Sequence, residues 1–321
     1  MMRPVLLILI IFIAANICSA QPAEPARKKM SPVLAQLKRP ADKMQERIFW
    51  ISVGNIDSIK NFLHQKDLPV KILSEFSHTG LLVIRTNWRL IDSILALSPL
   101  VRFIEIPRQP KEELALNAFD NSLNTINLLH HRLPSINGNG LVVSVKENLF
   151  DTTDMDLQGR YLPTPLSSNE LAPHATIMAT ILAGAGNSFY TGRGAAWGAT
   201  ISSSDFSSLL PDTGTAYSVQ NHSYGTDIEN YYGADAAAYD ATVIANPALL
   251  HIFSAGNDGD KVSGSGTYTG ISGVANLTGS FKMAKNILTV GAADSFGVAA
   301  PLSSKGPAYD GRIKPELVAF G

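Results

Sequence analysis

Three residues of this chain have the types and the surroundings of a hydrolytic site. His174 opens the stretch HATIMATILAG, residues 174–184. Positions 175–192 carry no charge and are mostly small or aliphatic, which predicts a helix apolar on every side and therefore buried. At the first position of such a helix the imidazole faces the positive end of the helix dipole. That disfavours the protonated ring and leaves a neutral one able to accept a proton, as a general base must. A lone histidine there would equally serve as a core residue with a satisfied hydrogen bond; its companions argue for chemistry. Glu147 follows the apolar run LVVSV, residues 141–145, so a carboxylate and an imidazole can meet at one edge of a sheet. Asn257 lies in SAGNDG, residues 254–259, where a strand runs into a Gly-flanked turn that pushes the amide outward. An ordinary Asx turn would place it there too. An exposed amide can also donate to a developing oxyanion, which is worth ~3 kcal/mol in a transition state.

Bringing these residues together requires strands that end at a common edge. LVVSV has the near-continuous apolar character of a strand buried on both faces, and it follows the turn signal NGNG at 137–140. Similar runs recur at 200–204, 219–223, 249–254, 287–292 and 316–319, with helix candidates at 175–183 and 234–246. The alternation predicts an α/β fold in which a parallel sheet carries helices on both faces, with function collected where the strands end.

Upstream the pattern is different. Strand-like runs at 47–53, 70–75, 80–86 and 101–106 alternate with helical spacing at 56–64 and 87–97. The order β-α-β-β-α-β predicts a small ferredoxin-like α+β domain over residues 47–107, a plan that by itself assigns no function. Residues 21–46, rich in Lys, Arg, Pro and Ala, read as a solvated linker or short helix. Residues 108–136 read as a polar junction holding Asn117, Asn121, Asn124, Asn127, His130 and His131.

Residues 1–20 have a basic start at Arg3, an apolar run over 5–15, and small residues at Cys18 and Ala20. This is the layout of a secretory signal peptide cut after Ala20, with export and no membrane association afterwards. Lipidation at Cys18 is the alternative, and Ile17 stands where such a signal needs a small residue. Cys18 is the only cysteine, so the cleaved chain would lack disulfides, thiolate metal sites and a cysteine nucleophile. The 321 residues suffice for one small and one larger domain, and the net charge of -1 gives no support to nucleic-acid binding. The seven histidines show no H-E-x-x-H spacing, so a zinc hydrolase is not supported. The glycines at 184–186 and 192–194 follow a helix and do not open one, which makes them turns and not a phosphate loop.

Taken in order, the motifs of residues 137–321 resemble those of the subtilisin-like serine proteases. Glu147 with Asp156-Leu157 resembles the family's Asp block, HATIMATILAG its His block, and Gly194-Ala-Ala-Trp-Gly-Ala199 its next conserved segment. Ser223-Tyr224-Gly225 and Ser254-Ala255-Gly256 resemble the two segments that flank the substrate backbone, and Asn257 stands at the oxyanion asparagine. The stretch from Ser303 through Asp310 to Ala319 resembles the approach to the nucleophile. The resemblance implies a secreted zymogen acting on peptide or protein substrates. In it His174 is the base, Glu147 orients it, and the first domain is a propeptide that inhibits its own chain with its tail in the active-site cleft. No cofactor is implied; family members often carry calcium, but no loop here has a defensible ligand spacing.

The pattern has departures. The family's Gly-Thr-Ser block would follow the segment ending at Gly321, so the nucleophile is expected beyond it and the sequence is expected to be incomplete. Glu147 replaces an aspartate, and Asn148-Leu149 replace Thr-Gly. Asp151 and Asp154 are rivals for the carboxylate role and read as solvated turn residues. Ala175 replaces a glycine, and Trp197 and Phe320 replace prolines. A non-catalytic protein that keeps the fold and binds peptides or a partner is the competing reading.

Overall fold

A computed structural model describes residues 24–113, 121–214 and 216–321. The signal-peptide reading and Asn117 of the junction lie outside the described residues. Among the described residues no helix is long and apolar enough to cross a membrane.

The first unit contains, in chain order, α1 (Glu24–Arg27), α2 (Pro32–Gln36), β1 (Glu46–Val53), α3 (Ile56–Gln65), β2 (Lys71–Phe76), β3 (Leu81–Asn87), α4 (Trp88–Leu90), a π-helical turn over Ile91–Leu95, and β4 (Val101–Glu105). The sheet order is β2-β3-β1-β4, with every neighbouring pair antiparallel. β3 therefore lies between β1 and β2 and splits the β1–α3–β2 unit. Asn55 and Asn87 start the two helical segments by accepting the backbone N–H groups of Ser58 and Leu90, at 2.8 and 2.9 Å.

Strand periodicity sorts the two faces of this sheet. Phe49, Ile51, Val53, Leu82 and Ile84 turn toward α3 and the α4 segment and form one core with Ile59, Leu63, Trp88 and Leu95. Trp50 and Leu81 turn the other way. The segment expected to be a linker belongs to this core: Ala26, Met30 and Leu34 are buried in it. Residues 29–31 also extend the sheet along β4, where Ile104 N–H donates to Lys29 O and Ser31 N–H to Ile104 O. Three apolar side chains at a spacing of four had been masked by the Lys and Arg residues between them.

The chain continues through β5 (Lys111–Glu112), α5 (Ile126–Arg132), β6 (Val142–Glu147), β7 (Tyr161–Leu162), α6 (Pro173–Ala183), β8 (Thr200–Asp205), β9 (Val219–His222), β10 (Tyr224–Gly225), α7 (Ala234–Ala245), β11 (Leu250–Ser254), β12 (Leu288–Ala293) and β13 (Leu317–Phe320). Seven of these strands form one parallel sheet in the order β13-β12-β11-β9-β6-β8-β7. Register places the helices on opposite faces. Val143 and Val145 pack on α6 with Ala175, Ala179 and Ala183. Ser144 pairs with Gln220, Gln220 with His251, and His222 with Phe253, and Phe253 packs on α7 with Ala236, Ala238 and Tyr239.

Helix α6 is not buried on every side. His174, Ala175, Ala179 and Ala183 form its buried stripe, while Ile177, Met178, Ile181 and Leu182 remain partly exposed. The alanines face the sheet because a methyl group lets helix and strands approach closely, so an evenly apolar sequence still has an inner and an outer face.

The free face of the first unit's sheet covers α7. Trp50 and Leu81, with the partly buried Phe76, Val83 and Phe103, pack against Ala234, Ala236, Ala238 and Tyr239 in one cluster. Glu105, at the end of β4, accepts the N–H of Ala234 at 2.8 Å and so caps α7 from the other unit. Beside it the Arg108 guanidinium reaches Glu105, Glu229 and Asp235.

Candidate active site

The arrangement of the candidate residues begins with strand parity. Residues 143, 145 and 147 point to the same side of β6, the side that α6 covers, so Glu147 emerges from the last position of the strand toward the first turn of the helix. There His174 is the second helical residue, after Pro173. The His174 Nδ1 and a Glu147 carboxylate oxygen are hydrogen-bonded, and the two residues are 4% and 0% exposed. With Nδ1 engaged, Nε2 is the nitrogen left for chemistry, and it has no hydrogen-bond partner among the described residues.

Burial pushes the Glu147 carboxyl up, and its bond to His174 offsets only part of that rise. Burial alone would lower the His174 imidazole; the hydrogen bond and charge of Glu147 outweigh it and hold the ring above its ordinary 6.5. The helix-dipole expectation of a lowered value is overridden by the carboxylate 27 residues earlier in sequence, because a charge in direct contact acts more strongly than a partial charge at a helix end. The rival carboxylates are turned away. Asp151 accepts from the Thr153 N–H and hydroxyl at 2.9 and 2.7 Å, and Asp154 accepts from the Asp156 N–H at 2.8 Å.

The two predicted substrate segments follow β9 and end β11 at this same edge of the sheet. They are occupied by the chain itself. β5 pairs antiparallel with β10, Glu112 opposite Tyr224 and Lys111 opposite Gly225, and the Glu113 N–H donates to Ser223 O at 3.1 Å. The Glu113 backbone also helps to hold the His174 imidazole up, after the hydrogen bond and charge of Glu147 and the charge of Glu112. Part of the stretch read as a polar junction is thus a short strand paired with residues 223–225.

The other predicted residues divide by role. The Ser254 hydroxyl donates to the Glu113 carboxylate, while the Ala255 N–H is used by the sheet, bonding Val290 O at 2.8 Å. The Tyr224 side chain is core, and only its backbone meets Glu112. Gly256 has φ +114, and a Cβ there would lie 2.2 Å from Thr278 Oγ1, so its lack of a side chain is required on both counts. Asn257 is half-buried three residues past β11, in a loop pinned by Ser304 N–H to Gly256 O and by Asp258 N–H to the Ser304 hydroxyl. Its amide makes no hydrogen bond among the described residues. Three residues that the sequence had not singled out line this candidate site: Glu113, Thr278 and Lys282. The one hint was a single lysine between Phe281 and Met283.

Among the described residues, no group of three or more His, Cys, Asp and Glu side chains is arranged to hold a metal ion.

The chain thus presents a doubly covered parallel sheet with a carboxylate–imidazole pair at its carboxyl edge. Residues 138–321 match the sequence model of the subtilase family, and the chain belongs to that family. Among solved structures the fold is similar to that of the epidermin leader peptide processing serine protease of Staphylococcus aureus. The TM-score is 0.56 at 12% identity, covering 86% of this chain and 75% of that one. Fervidolysin from Fervidobacterium pennivorans, a keratinolytic enzyme related to subtilisin, is similar with a TM-score of 0.53 at 17% identity, over 84% of this chain and 48% of that one.

Proposed function

We propose that this protein is the zymogen of an exported serine endopeptidase, its first unit acting as an intramolecular inhibitor. The observation that carries the proposal is the joint placement of two things: a buried Glu147–His174 pair, and a strand of the protein's own chain paired with residues 223–225, with the Glu113 N–H on Ser223 O. A peptide held in this way is presented as a substrate is, through backbone hydrogen bonds that accept many sequences.

In the proposed mechanism a serine adds through its oxygen to the peptide carbonyl carbon. His174 Nε2 takes the serine proton as the C–O bond forms. The resulting imidazolium is stabilised by Glu147, which also fixes the ring so that Nε2 faces the reaction. Asn257 and a backbone N–H hold the oxyanion. The C–N bond then breaks as His174 returns the proton to the departing amine, and water repeats the sequence on the acyl-enzyme to release the acid and restore the serine. Glutamate can replace the usual aspartate because the imidazole needs a buried carboxylate at Nδ1, and the longer side chain reaches it from the strand end.

The test is labelling of the full-length protein by a serine-directed fluorophosphonate after removal of the first unit. Labelling that disappears in His174→Ala supports the reading. Absence of labelling in a folded protein removes it in favour of a peptide-binding relative, which the occupied cleft would also serve.

A further inference from the structure

The side chain of Glu113 enters a pocket of specific chemistry. Its carboxylate accepts from the Ser254 hydroxyl and the Thr278 hydroxyl, and the Lys282 ammonium donates to it at 2.9 Å. Lys282 is fully buried, and among the described residues the other hydrogen bond of its ammonium is to Thr278 Oγ1, at 2.8 Å. Gly225 forms one wall: a Cβ there would stand 1.9 Å from the Glu113 carboxylate oxygen. The pocket receives the side chain of the residue whose N–H bonds Ser223 O and whose backbone acts on the His174 imidazole, which puts that side chain on the acyl side of the bond attacked.

We propose that this pocket makes the enzyme selective for glutamate on the acyl side of the scissile bond, and that the first bond it cuts is the one following Glu113 in its own chain. The inference rests on the endopeptidase reading and adds its substrate class and processing site. A buried ammonium without a counter-charge is strongly disfavoured. Burial pulls Lys282 below its usual range, and the Glu113 carboxylate restores only part of that. Asp258 acts on it in the same sense but more weakly, with its own carboxylate engaged by Lys261. An incoming glutamate therefore replaces one carboxylate by another. A leucine or glutamine would leave the buried ammonium without a counter-charge, and a leucine would also leave the two hydroxyls without an acceptor. Sites built around buried polar partners reject analogues that lack the matching group far more strongly than apolar pockets reject a change of size. Cleavage after Glu113 converts its carbonyl to a carboxylate and frees the following nitrogen as the amino terminus of the mature enzyme.

Two measurements decide it. The full-length protein, activated, is given a peptide set varied only at the acyl-side residue, and the new amino terminus of the processed chain is sequenced. Hydrolysis after Glu at least ~100-fold faster than after Gln or Leu, an amino terminus at residue 114, and loss of that preference in Lys282→Met with residual hydrolysis retained are the expected results. Equal or faster hydrolysis after Leu, or processing elsewhere, overturns the proposal while leaving the endopeptidase reading intact. The second measurement needs no turnover: amide exchange of Glu113 in the full-length His174→Ala protein. Glu113→Leu and Lys282→Met should each speed exchange of that segment by roughly 10-fold or more. If Glu113→Leu is as protected as the parent, the pocket does not select an acid, whether or not the protein proves to be a protease.

Discussion

Glu147 Oε2 meets His174 Nδ1 in a buried hydrogen bond formed between the last residue of a strand and the second residue of a helix. The bond fixes which imidazole nitrogen is available and places a negative charge where an imidazolium would form. Replacing the carboxylate by its amide keeps the size and removes the charge. Glu147→Gln is expected to lower kcat by ~10³–10⁴-fold with little change in KM, and Glu147→Asp by much less, as measured by peptide hydrolysis in the full-length activated protein. Near-normal kcat in Glu147→Gln would show that the carboxylate does not orient the base.

The pH profile follows from the same pair. The base works only when neutral, and Glu147 holds the His174 imidazole above 6.5. The acidic limb of kcat/KM should therefore have its midpoint above 6.5, activity rising as the proton is lost. Glu147→Gln should move the midpoint down by removing the charge that favours imidazolium. A midpoint below 6 in the parent protein would contradict the assignment.

Docking of the first unit should also depend on pH. Burial raises the Glu105 carboxyl to about 7, with the Arg108 charge opposing the rise and the carboxylates of Asp235 and Glu229 adding to it. A group whose value is raised in the docked state contributes stability that is full below its ordinary 4.5 and is lost as pH climbs through about 7. Amide exchange in β1–β4 is therefore expected to be slower, relative to intrinsic rates, at pH 6 than at pH 8.5. Arg108→Met leaves three carboxylates without their cation and should loosen the contact by ~3 kcal/mol or more at alkaline pH. Identical protection at both pH values would mean that this buried cluster does not govern docking.

Gly225→Ala separates cleft occupancy from folding. Gly225 has no positive φ, and the obstacle to a Cβ is the Glu113 carboxylate, with the Thr278 hydroxyl next at 2.5 Å. The variant should fold with a thermal midpoint within a few degrees of the parent, while the 111–113 segment loses its exchange protection by roughly 10-fold. Collapse of the whole fold, or unchanged protection, would show that the segment is not held where the structure places it.

Much of this fold is determined by local sequence. Short apolar runs separated by turn signals specify the strands of the parallel sheet, and those runs fall within one residue of their observed limits at 200–205 and 250–254. His174 and Glu147 were legible because an uncharged helix with a titratable residue at its start, and a carboxylate ending an apolar run, contrast with their surroundings. The six residues of 223–225 and 254–256 were legible as blocks, though not their separate duties. Whether Tyr224 serves the cleft or the core depends on where Phe253 and Phe281 lie.

What the tertiary structure decided is everything that depends on partners far apart in the chain. The imidazole's shift comes from a carboxylate on another element, the α7 cap comes from Glu105, 129 residues away, and the inward stripe of α6 is chosen by the sheet beneath it. Lys282 is the clearest case. In the sequence it is one basic residue between Phe281 and Met283; its meaning appears only when folding buries its ammonium against the Glu113 carboxylate, 169 residues away in the chain. Sequence pattern records which side chains leave water, whereas charge chemistry depends on which of them meet once water is gone.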